Sequence, residues 1–272
     1  MTGPRRWIGY IALVLVFSIA CGVLSWWQFA RNEEAQERVR QVVENWDRAP
    51  VGLGALLASP DAAFDPADTW TPVVVTGAYD PDGQLVVRGR PREGQPGFEV
   101  LVPFHVDGGG TLIIDRGWVP AGQTQAEVPD SVPAPPLGPV TVVARLKAGE
   151  PSVPGRTAPA GQVATIELPL IAELLEDPAV YTGAYGLLAS EDPAVETPAL
   201  ARRPDPDPGP HLSYAVQWIL FAVLAAGALT WVIVQEVRIQ RGQAPLRRPE
   251  PKRPRGASDA EIEDAMLDEA ER

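Results

Sequence analysis

The sequence predicts an α+β protein in which two terminal transmembrane helices flank an antiparallel, β-rich extracytoplasmic domain. Three observations lead there: an uncharged apolar run near each end, arginines on the outer flank of both runs, and short β-branched runs separated by turn residues between them. The expected division is a transmembrane helix over 7–28, the domain over 29–210, a second transmembrane helix over 211–234 and a cytoplasmic tail over 235–272.

The first run, Trp7 to Trp27, is about 21 residues long, enough as a helix to cross a hydrocarbon core of about 30 Å. Arg5 and Arg6 precede it, and Trp26 and Trp27 close it where amphipathic rings favour the interface. A cleaved signal peptide is the rival reading, with Arg5-Arg6 as its basic region. Against it, the apolar run continues past Cys21 to Trp27. Phe29 to Trp46 is charged and rich in helix formers, so the helix is expected to continue until Pro50 stops it.

Strands are expected over Pro72–Tyr79, Gln84–Arg90, Phe98–Val106, Thr111–Val119, Val140–Lys147, Gln162–Leu168 and Gly183–Ser190, with one short helix over Leu170–Leu175. Asp82-Gly83 and Gly108-Gly109-Gly110 lie between neighbouring strands at hairpin-like lengths, which favours antiparallel pairing and a sheet able to curl toward a barrel. Pro129 to Pro139 reads as a loop, and Pro193 to Pro210 as a linker into the second apolar run. That run, Leu212 to Val234, is followed by Arg238, Arg241, Arg247, Arg248, Lys252, Arg253 and Arg255. Basic residues mark the cytoplasmic side, so both termini are expected inside and the domain outside.

A mean hydropathy near zero conceals these two apolar blocks within a polar, proline-rich chain. The formal charge of −12 argues against nucleic-acid binding, which needs a basic surface. Basic side chains are nearly all arginine, with lysine only at 147 and 252, a composition that points to a GC-rich bacterial source. The single cysteine, Cys21, excludes an intrachain disulfide framework and a CxxC redox pair. No Gly-rich phosphate loop, GxSxG elbow or HExxH helix is present, and the scattered Asp and Glu read as solvated surface charge. An enzyme is therefore not expected.

Three places carry more specific chemistry. His105 ends a strand and reads as a partly exposed structural histidine. Arg116-Gly117-Trp118 joins a cation, a flexible backbone point and an indole that could stack with it, or else marks a strand exit whose Trp packs the core. His211 sits where the acidic linker meets the second span, with Tyr214 and Trp218 on its face at i+3 and i+7. Imidazole is a good axial ligand for haem iron, and aromatic rings suit a flat macrocycle. Trp27 and Gln28 end the first span at the same expected depth, and Arg31 lies one turn outside, within reach of haem propionates. The alternative is that His211 only anchors the helix at the interface.

Taken together, these segments resemble the surfeit-locus protein one family, assembly factors for haem-copper cytochrome c oxidase. Leu24-Ser25-Trp26-Trp27-Gln28-Phe29-Ala30-Arg31 is similar to the family's Leu-Gly-x-Trp-Gln-x-x-Arg, with Ser25 in place of Gly. Gly97 to Phe104 is similar to a central family strand, Arg116-Gly117-Trp118-Val119-Pro120 to its most recognisable short motif, and His211-Leu212-x-Tyr214-Ala215-x-x-Trp218 to the opening of its second span. The resemblance implies a multi-pass protein of the bacterial plasma membrane whose partners are oxidase subunits, above all the haem-bearing one. It implies haem a as a cofactor, held transiently, with His211 as the iron ligand and Tyr214, Trp218, Trp27, Gln28 and Arg31 around it. Arg116, Gly117 and Trp118 are then candidates for contact with a partner subunit. A scaffold that aids the oxidase without any cofactor is the alternative.

Overall fold

The computed structural model describes residues 4–243, which form two compact units: α1 up to Gln28 together with α3 from Leu212, and a domain spanning Phe29–His211. The basic flank at Arg247 to Arg255 and the acidic end of the chain lie outside the described residues.

Helix α1 (Pro4–Asn45) is one uninterrupted helix, and α3 (His211–Gln240) is the other long one. Their most apolar windows have mean hydropathies of 2.4 and 2.0, so both are long and apolar enough to cross a membrane. Large apolar side chains such as Leu13, Val16, Leu220 and Val223 point outward. A water-soluble helix bundle would bury such residues. Within this unit the Ser25 hydroxyl donates to the Ala215 carbonyl at 3.0 Å, and Cys21, Ser25 and Ala215 are all buried. Small side chains let two helix backbones approach closely.

The domain is a mixed sheet built from β1 (Val51–Gly52), β2 (Pro72–Tyr79), β3 (Leu85–Val87), β4 (Gly97–Val106), β5 (Thr111–Pro120), β6 (Val140–Ala148), β7 (Gln162–Val163) and β8 (Ala184–Asp192), with α2 (Leu168–Leu174) as its one short α-helix. Strands run in the order β1-β2-β6-β8-β5-β4-β3-β7, and β2 also pairs with β4. That extra pairing closes β2, β6, β8, β5 and β4 into a five-stranded barrel. Its neighbours are antiparallel except for the parallel pair β5–β8, a Greek-key connectivity of the OB type. Gly77 makes the closure possible: a Cβ there would lie 1.9 Å from the His105 carbonyl oxygen.

Strand alternation sorts the core into two layers. Val73, Val75, Val100, Val102, Phe104, Leu112, Ile114, Val142 and Leu146 fill the barrel, where Leu53 and Leu57 join them. On the outer face Leu101, Ile113, Tyr185 and Leu187 pack beneath Ile166, Leu168 and Ile171 of α2 and its approach.

Most expected strands are present, with three corrections. Asp82-Gly83 does not turn a hairpin; it lies in a 3-10 turn, and β3 pairs with β4 and β7 rather than β2. The expected strand over Gln162–Leu168 shrinks to Gln162–Val163, because Leu168-Pro169 already starts α2, and proline fits the first helical turn. The Pro193–Pro210 segment is more than a linker: Ala199 exchanges both backbone hydrogen bonds with Trp118 at 2.9 Å.

Candidate functional site

Trp27 and Tyr214, in the helical unit, are each 49% exposed. Trp218 is half-buried and sets its ring edge against Phe221 at 5.7 Å. Gln28, in the same unit, is also half-buried. Arg31 and His211 belong to the domain unit. Arg31 pairs with Glu34 one turn along at 2.8 Å, while half-buried His211 is the first residue of α3. The other histidine, His105, has its Nδ1 at 3.0 Å from the Thr111 hydroxyl, which donates to Asp177 at 2.6 Å. It is a strand-end residue held in a polar chain. Among the described residues no three His, Cys, Asp or Glu side chains group closely enough to hold a metal ion.

Arg116 is completely buried, and of the two readings of this motif, the stacking of its guanidinium on Trp118 does not occur. Its Nη2 pairs with Glu191 at 2.7 Å and its Nη1 donates to the Pro133 carbonyl at 2.8 Å. It lies over the Tyr79 ring at 5.4 Å, and the Tyr79 hydroxyl donates to the other Glu191 oxygen at 2.9 Å. Burial and the Glu191 charge push the Tyr79 hydroxyl far above its ordinary range. A bulge separates Arg116 from Trp118. In the β4–β5 ladder Val100 faces Gly117 and Leu101 faces Asp115, so Arg116 is the extra residue. Gly117 takes the φ of +129° that this needs, and a Cβ there would sit 2.8 Å from the Ala199 carbonyl oxygen. The two-residue alternation is thereby shifted: Val119 enters the barrel and Trp118 turns to the outer face. A partner at this motif would meet Trp118 and not Arg116.

On that outer face lies a cleft of about 450 Å³, between the 89–92 loop, β4, β5, β6, β8 and the 199–202 segment. The Trp118 indole donates to the Arg90 carbonyl at 2.6 Å, and Arg92 lies 6.0 Å above its ring. Arg90 bridges Glu99, at 2.9 Å, and Glu150. Its hydrogen bond to Arg90 and another from the Ile166 amide outweigh burial and hold the Glu150 carboxyl low, whereas burial raises that of Glu99. Asp115, 3% exposed, accepts the Gly117 amide at 2.9 Å. Burial first, and the Glu99 charge second, push its carboxyl up to about 8. Burial also drives the Tyr185 hydroxyl well above its usual range.

Asp115, Glu191, Tyr79, Lys147 and Tyr185 were not singled out by the sequence, and the expectation that the acidic residues are solvated fails for Asp115 and Glu191. The available signals were slight: an acid directly after Leu112-Ile113-Ile114, and a single lysine in a domain otherwise served by arginine.

Residues 15–223 match the model of the SURF1 family. Curated relatives include the uncharacterized SURF1-like proteins of Mycobacterium tuberculosis and Mycobacterium bovis, each 35% identical over 252 residues and matched over 86% of both chains.

Proposed function

This chain belongs to the SURF1 family, and from that premise we propose that it is a membrane assembly factor for haem-copper cytochrome c oxidase that binds haem a and aids its insertion. The family is linked to cytochrome oxidase assembly and is not a family of enzymes. The observation that carries the haem reading is the position of His211 as the first residue of an apolar helix, three and seven residues ahead of Tyr214 and Trp218. The donor set fits the group: one imidazole for iron, exposed aromatic surface for a flat ring, and an arginine for carboxylates. When bound, haem a would supply an iron that takes a nitrogen ligand. His211 would provide that nitrogen, Tyr214, Trp218 and Trp27 would offer ring surface, Gln28 would offer a hydrogen bond, and Arg31 would balance propionate charge.

In the same reading α1 and α3 cross the bacterial plasma membrane, both termini are cytoplasmic, and the barrel domain stands outside. The outward apolar side chains of both helices and the arginines at their outer flanks support this arrangement. The oxidase subunits are the partners, with the haem-bearing subunit first among them, and Trp118 is the accessible part of the contact motif. In a strain lacking this gene, haem a per oxidase subunit should fall, and the wild-type chain should restore it while His211→Ala should not. Full restoration by His211→Ala would remove the ligand assignment.

A further inference from the structure

The cleft beside Trp118 is built from groups that the haem reading does not use. Tyr185 is 1% exposed, and its hydroxyl makes no hydrogen bond among the described residues although it borders the cleft. The ring is buried, but the hydroxyl is not sealed from water, so it is available to donate to a ligand in the cleft. Lys147, the lone lysine of the domain, makes no ion pair among the described residues. Its ammonium lies 5.8 Å from the Trp70 ring centre and 5.9 Å from that of Tyr185. The other cations there are engaged: Arg90 by Glu99 and Glu150, Arg202 by Glu93, and Arg92 by the Ala199 carbonyl.

We propose that this cleft binds a carboxylate, with the Lys147 ammonium as its counter-charge and the Tyr185 hydroxyl as its hydrogen-bond donor. Lys147 and Arg90 together face the charges of Glu99 and Glu150, Arg202 is matched by Glu93, and Arg92 is held only by a carbonyl, so the cleft carries one positive charge in excess, which matches one negative charge. A cationic ligand would face four cations in the lining, and a phosphate dianion would bring excess charge against Glu99. The rings of Trp70 and Trp118 provide apolar walls for whatever carries the carboxylate.

Asp115 adds a pH dependence. Glu99 on β4, Arg90 on the preceding loop, Lys147 on β6 and Tyr185 on β8 surround it. Below about pH 8 its carboxyl is protonated and can donate to the incoming carboxylate. Above that it ionises and repels the ligand, so affinity should fall as the pH rises past about 8.

The source of the carboxylate is either a free organic acid or an acidic side chain of a partner polypeptide. The test is saturation-transfer NMR on the full chain in detergent micelles with two matched pairs. Succinate is compared with succinamide, and a capped Ala-Glu-Ala peptide with its Gln counterpart. The carboxylate of at least one pair should bind and its amide should not. Succinate binding alone marks a small acid, and binding of the Glu peptide marks a polypeptide. Lys147→Gln should weaken binding at least tenfold, and Tyr185→Phe, which keeps the ring and the packing, severalfold. Equal binding of acid and amide, absence of binding by both acids, or unchanged affinity in folded Tyr185→Phe and Lys147→Gln would overturn the proposal.

Discussion

Removing one partner of the Arg116–Glu191 pair should unfold the barrel more readily than any surface change. Both side chains are out of water, at 0% and 2% exposure, and meet at 2.7 Å. Taking the charge off Glu191 leaves a guanidinium in the interior without a counter-charge, beside the Pro133 carbonyl and the Tyr79 ring. Breaking a buried pair on one side costs about 3–5 kcal/mol, because a charge is left without compensation. Glu191→Gln preserves shape and so isolates the charge; Arg116→Met removes the cation and strands Glu191. With a urea slope of about 2 kcal/mol/M, either single change should lower the unfolding midpoint by roughly 1.5–2.5 M. The measurement is urea unfolding of the full chain in detergent micelles, followed at the tryptophans. The double variant Arg116→Met/Glu191→Leu should recover part of the loss, since an apolar pair of similar volume replaces the ionic one, less the cost of the Tyr79 hydroxyl left without its acceptor. Single variants that cost under about 1 kcal/mol, or a double variant as unstable as the sum of the singles, would refute the assignment of this pair as a buried ionic core.

Two further outcomes rest on the same strand. Gly117→Ala should destabilise the domain by about 1–3 kcal/mol in the same unfolding assay, because a side chain there adopts a disfavoured φ and meets the Ala199 carbonyl oxygen. Unchanged stability would show that the bulge relaxes. Asp115 holds its proton in the folded state up to about pH 8, whereas the unfolded carboxyl loses it near its ordinary value of 3.8. The stability it contributes is thus complete below about pH 4 and falls as pH rises toward 8. Asp115→Asn, which cannot ionise, should flatten that slope and gain on the wild type most at pH 8 and above. A parallel pair of pH–midpoint curves would contradict a buried, protonated Asp115.

The parts of the fold visible in the sequence are those with a strong local signal. The two long helices follow from uninterrupted apolar runs, and the β4–β5 hairpin from the glycines at 108–110 between alternating strands. Where a tertiary contact decides, the local signal fails. Asp82-Gly83 looks like a hairpin turn, yet β2 reaches past β3 to close the barrel on β4 and β6. Trp118 should share a face with Arg116 by simple alternation, and one bulged residue sends them to opposite sides of the sheet. Arg116 meets Glu191 across 75 residues of sequence, and Glu191 by itself reads as another surface acid. The cleft is assembled from a loop, four strands and the 199–202 segment, none of which contains a recognisable motif of its own beyond Arg116-Gly117-Trp118. His211, by contrast, stands out because the chain has only two histidines and this one begins an apolar helix.

The central claim, that His211 holds haem, is tested most directly by the absorption spectrum of the purified full chain. Protein made in cells that synthesise haem a should carry its Soret band. His211→Ala should lose the band, while His105→Ala, on the strand-end histidine engaged with Thr111, should keep it. An equal Soret band per mole of protein in wild type and His211→Ala would contradict the claim.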